Sequence, residues 1–146
     1  MKYLILNVFS VFFLISASCD KKTPITNNSK GANNKMTIKI GDKTFVATLY
    51  DNATATAFKA MLPITITMTE LNNNEKFFRF KNNLPVKSAN PETIQNGDLM
   101  IYGSNTLVLF YKNFSTPYSY TKLGRIADST GLAAALGNED ATVTFE

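Results

Sequence analysis

Gly97-Asp98-Leu99-Met100-Ile101-Tyr102-Gly103-Ser104-Asn105-Thr106-Leu107-Val108-Leu109-Phe110-Tyr111-Lys112 reads as two apolar strands folded about a tight Gly-Ser-Asn turn. Both parities of these strands are apolar: Leu99 and Ile101 against Met100 and Tyr102, Leu107 and Leu109 against Val108 and Phe110. A strand with water on one face alternates, so a strand that is apolar on two faces needs cover on both. A small closed barrel filled with side chains, its outer wall partly capped by helices or loops, meets that requirement.

The flanking segments carry weaker but consistent signals. Upstream, Glu75 to Lys81 predicts a strand with Phe78 and Phe80 on one side and Arg79 and Lys81 on the other. Ile64-Thr65-Ile66-Thr67-Met68-Thr69 alternates with period two, the pattern of one buried face, and Leu71-Asn72-Asn73-Asn74 turns the chain. Before it, Asp51 or Asn52 caps an Ala-rich helix with Ala55, Phe58 and Leu62 on one stripe, ended by Pro63. Met36 to Ile40 and Lys43 to Leu49 alternate about Gly41-Asp42 as a hairpin, with Phe45, Ala47 and Leu49 sharing a face. The stretch from Asn82 to Gln95, with Pro85, Pro91 and several Asn, predicts a long surface loop. Downstream come an aromatic-rich loop from Lys112 to Tyr120 and a short strand from Lys122 to Ile126. A helix from Asp128 to Gly137 and a closing strand from Ala141 to Phe145 follow. The sum is a mainly β protein of about eight strands and two short helices.

Composition excludes whole classes of chemistry. The 146-residue chain has no His and no Trp. There is therefore no Ser-His-Asp or Cys-His dyad and no imidazole metal site or proton shuttle. The carboxylates Asp42, Asp51, Asp98, Asp128 and Glu70 read as turn or cap residues without paired spacing, which speaks against acid–base catalysis or a metal cage. No Gly-rich phosphate loop is present and no cofactor is implied. The net charge of +4 comes from scattered lysines, with Arg79 and Arg125 the only arginines, so no nucleic-acid footprint forms.

Met1-Lys2-Tyr3 followed by the apolar run Leu4 to Ile15 has the length and character of a secretory leader. It is too short for a comfortable membrane span. Ser16-Ala17-Ser18-Cys19 at its end resembles the lipobox of bacterial lipoproteins, with Ser16 where Leu is usual. That resemblance implies cleavage before Cys19, acylation of the cysteine, and residence in the bacterial cell envelope on a lipid anchor. The other reading of a lone Cys is a spare or buried thiol, since it has no partner for an internal disulfide. Residues 19–35 then form the lipidated Cys and a spacer rich in Asn and Lys, with Gly and Pro among them. About 16 flexible residues reach roughly 20 to 25 Å, enough to hold a domain over residues 36–146 clear of headgroups.

Within that domain, Leu49-Tyr50-Asp51-Asn52, Leu62-Pro63, Gly97-Asp98-Leu99-Met100 with Tyr102-Gly103, and Lys122-Leu123-Gly124-Arg125-Ile126 resemble the bacterial cyclophilin-like domain. The resemblance implies a closed β-barrel capped by helices and related in shape to the peptidyl-prolyl isomerases, without implying their activity. Isomerisation needs an arginine donating to the prolyl nitrogen beside an apolar pocket. Arg79, between Phe78 and Phe80, is the candidate in the most similar setting, though alternation turns it away from both. Arg125 shares parity with Leu123 and Ala127 and either lies in a groove or pairs with Asp128. Tyr118 and Tyr120 form an aromatic recognition edge or roof a barrel end.

The expectation is an envelope lipoprotein whose barrel binds a peptide or small molecule without catalysis, with Tyr118, Tyr120 and Arg125 as binding residues. The alternative is a divergent peptidyl-prolyl isomerase or envelope folding factor, with Arg79 or Arg125 as the catalytic arginine.

Overall fold

The computed structural model describes residues 34–146. The leader, Cys19 and most of the spacer lie outside the described residues. In chain order the elements are β1 (Lys35–Ile40), β2 (Lys43–Leu49), α1 (Ala53–Lys59), β3 (Ile64–Leu71), β4 (Glu75–Arg79) and β5 (Thr93–Ile94). They continue as β6 (Asp98–Tyr102), β7 (Thr106–Phe110), β8 (Phe114–Ser115), β9 (Tyr120–Ile126), α2 (Leu132–Leu136) and β10 (Ala141–Phe145).

Eight of the strands close a barrel in the order β1-β10-β3-β4-β7-β6-β9-β2, every pairing antiparallel. Closure removes the exposed strand edges that an open sheet of this size would offer to other chains. The inward positions follow the alternation of the sequence: Ile38, Phe45, Leu49, Leu99, Ile101, Leu107, Leu109, Val143 and Phe145 are all buried in one core. Helix α1 lowers Phe58 onto that core, where its ring meets Phe145 edge-on at 5.8 Å and Phe80 at 6.3 Å.

Local chemistry explains where both helices start and where α1 stops. Asn52 is the N-cap of α1: its side chain accepts from the Ala55 amide at 2.8 Å and donates to the Lys122 carbonyl at 2.9 Å, tying the helix to β9. The helix ends at Lys59, short of Pro63. The residue before a proline is pushed out of the α region, and the chain unwinds through i to i+3 bonds, Met61 to Phe58 and Leu62 to Lys59. Helix α2 is shorter than its pattern predicts. Asp128 spends its carboxylate on the Thr130 amide in a local turn, and Gly131 at the N-cap position has no side chain to offer. Strand β1 starts at Lys35, placed in the spacer by composition, because its backbone pairs with Thr48.

The two-sided apolar hairpin is covered on both faces, as its pattern requires. Leu99, Ile101, Leu107 and Leu109 face the barrel core, while Met100, Val108 and Phe110 face a second, outer core with Ile94 and Tyr120. The outer cover is a two-stranded ribbon, β5 with β8, built from stretches that sequence alone marks as loops. A strand of two residues carries no readable period, and it forms here because Ile94 and Phe114 bring both segments onto the outer wall.

Candidate functional site

Strand β4 presents Lys76 and Phe78 toward the barrel interior and Glu75, Phe77 and Arg79 outward, by simple alternation. Register then builds rows across the outer wall. Arg79 lies beside Thr106, Thr106 beside Tyr102, and Tyr102 beside Tyr120; one step along, Phe77 lies beside Val108. The ribbon covers only part of this wall. Between the uncovered strip and the chain from Phe114 to Tyr118 runs a cleft of about 400 Å³, within the range of small-ligand sites. Its apolar lining comes from Phe77, Val108, Phe114 and Pro117, and Tyr102, Tyr118 and Tyr120 form one side.

The tyrosines are in mutual contact: the Tyr102 ring is 6.2 Å from Tyr118 and 5.5 Å from Tyr120. Tyr118 is 59% exposed and Tyr120 is buried, so the cluster runs from the outer core to solvent. They line the outer wall and do not roof a barrel end, because β9 places Tyr120 opposite Tyr102 on the outward face. Burial pushes the Tyr120 phenol above its usual range, against a smaller lowering by its hydrogen bond with the Thr116 side chain.

Glu75 occupies one end of the cleft. Burial, and then the negative charge of Glu70, push its carboxyl up to about 7. Beside it, the side-chain oxygen of Asn74 is buried and without a hydrogen-bond partner among the described residues. Arg79 stands toward the other end, exposed, with no carboxylate of the described residues paired to it.

Arg125 is elsewhere. A bulge opposite Leu99 and Met100 inserts Leu123 into β9 and resets the alternation. Leu123 therefore enters the core while Arg125 turns outward, opposing the expected shared parity, and its guanidinium lies 3.8 Å from Asp98 rather than beside Asp128. The structure thus brings Arg79, Tyr118 and Tyr120 to one cleft and leaves Arg125 out of it.

The inward face of β4 holds a charged cluster that the residue pattern did not single out. Lys76 is fully buried, and its ammonium donates to Glu70 and to the carbonyls of Gly137, at 2.9 Å, and Glu139. All three ammonium protons are used. Glu70 also accepts from the Tyr111 hydroxyl at 2.8 and 2.9 Å and from the Asn73 amide at 2.8 Å. Burial pushes Glu70 up, but the bonds from Lys76 and Tyr111 outweigh it and hold the carboxyl below its ordinary value. Glu70 is the penultimate residue of β3, its carboxylate shared between the turn amide of Asn73 and the buried Lys76, which corrects its reading as an isolated turn carboxylate. The parity of Lys76 with Phe78 was the signal available in the sequence. The described residues contain no group of three or more metal-ligating side chains.

A family model described as the cyclophilin-like family matches residues 38–146. The solution structure of a hypothetical protein from Archaeoglobus fulgidus aligns with a TM-score of 0.54 at 20% identity, over 82% of this chain and 98% of that one, a likeness of fold. No curated protein matches the sequence.

Proposed function

Since the chain belongs to the cyclophilin-like family, whose shared fold does not by itself assign a chemistry, we propose that it is a binding module of the bacterial cell envelope. The module is held to the membrane by a lipid on Cys19 and takes a peptide or small molecule in the outer-wall cleft. The observation that supports this reading is the combination in one cleft of apolar walls, a tyrosine cluster, and the unpaired Arg79 and Glu75. Convergent polar groups in an apolar concavity are the general form of a ligand site. Backbone NMR of the full chain titrated with peptides is the test: shifts confined to Phe77, Tyr102, Val108 and Tyr118 support it, and shifts elsewhere or nowhere defeat it. The anchor has its own test. Cys19→Ala abolishes membrane fractionation or leaves the leader uncut.

A second reading is favoured by one observation, that Arg79 opens into an apolar cleft. An arginine so placed can donate to a prolyl nitrogen and weaken the C–N double-bond character. A proline-isomerisation assay separates the two readings. Turnover lost in Arg79→Ala but kept in Arg125→Ala supports the enzyme, and buffer-level rates on several peptides leave the binding module.

A further inference from the structure

The charge arrangement of the cleft narrows its ligand, on the premise that the cleft is the binding site. One end holds the Glu75 carboxylate, half-buried and without an ion pair among the described residues, and a partly buried anion without a cation is costly. That end lacks a donor. The other end holds the Arg79 guanidinium, whose planar fork matches a carboxylate and which has no such partner among the described residues. That end lacks an anion. Glu75 and Arg79 are four residues apart on one face of β4, and at about 3.3 Å per strand residue their backbones are separated by roughly 13 Å.

We propose that the cleft takes an unblocked peptide of about four residues in extended form, its ammonium on Glu75 and its carboxylate on Arg79. An extended tetrapeptide spans roughly 13 to 14 Å, which fits the separation of the two charged ends. Its central side chains lie against Phe77, Val108 and the Tyr118 ring. Both peptide termini are recognised, so the ligand is a short hydrolysis product rather than an internal stretch of a folded chain.

Four outcomes decide the matter in calorimetric and NMR titrations of the full chain with a tetrapeptide carrying two central phenylalanines. The peptide with free termini binds at least about tenfold more tightly than its N-acetylated or C-amidated forms, as expected for loss of one charge-assisted contact. Glu75→Gln abolishes the penalty for acetylation and keeps that for amidation, and Arg79→Gln does the reverse, with both variants keeping the wild-type NMR fold. Equal binding of free and doubly blocked peptides, with shifts in the cleft, overturns this inference while the binding-module reading stands. No shift in the cleft with any of these peptides overturns this inference and also counts against the binding-module reading.

Discussion

The two faces of strand β4 carry similar chemistry to opposite ends. Inward, Lys76 meets Glu70 and two carbonyls, every proton is matched, and the cluster clamps the segment after α2 to the barrel. Outward, Glu75 and Arg79 sit on the same strand with no ion pair to each other or to any described residue, in a cleft that water enters. A buried charge is tolerated only when satisfied, so the inner face had to close on itself. On the outer face Glu75 is half-buried and sheds its charge by holding a proton, while Arg79 is exposed to water, so neither has to be matched within the chain and both remain free to meet something else.

The largest expected effect lies inside. Lys76→Ala leaves the Glu70 carboxylate without its cation and two carbonyls without a donor, and costs about 3–5 kcal/mol in urea unfolding. A loss under 1 kcal/mol would break the contrast between the faces. Glu75→Gln acts next and in the opposite direction. The folded protein holds the Glu75 proton up to about pH 7, against an ordinary 4.5, so the stability from this group is complete below pH 4.5 and lost as pH rises through 7. The substitution therefore flattens the fall between pH 4.5 and 7 and raises stability at pH 8 by about 1 kcal/mol, a value discounted because the side chain is only half buried. Arg79→Ala changes stability by under about 0.5 kcal/mol while weakening peptide binding about tenfold, a split that thermal melts and calorimetry read together. Arg125→Ala is the smallest: its loose, half-exposed pair with Asp98 is worth about 0.5 kcal/mol or less, and binding in the cleft is unchanged.

Much of the fold is legible in the residue pattern because burial in a barrel imposes period two. The Thr-alternating β3, the hairpin of β1 and β2, and the two-sided apolar β6 and β7 all announce their surroundings one residue at a time. The candidate site was legible only in pieces. Arg79, Tyr118 and Tyr120 stand out singly, but 39 positions separate Arg79 from Tyr118, and nothing local says they meet. Arg125 departs from its expected parity for an identifiable reason: a bulge shifts alternation by one residue, and the sign of it in the sequence is Gly124, a glycine inside the strand pattern. Lys76 does not stand out in the residue pattern because a lysine on a strand normally faces water, and only its distant acceptors make the inward position tenable.

By itself the sequence determined the eight barrel strands, the capped start of α1, the two-sided cover of the central hairpin, and the absence of imidazole chemistry. These depend on neighbours within a few residues, or on composition alone. The tertiary structure decided that the outer cover is the β5–β8 ribbon, that Lys76 turns inward onto Glu70, and that Glu75, Arg79 and three tyrosines share one cleft. Each of those is a meeting of residues far apart in the chain. Barrel closure and strand register bring them together, and no local preference encodes either.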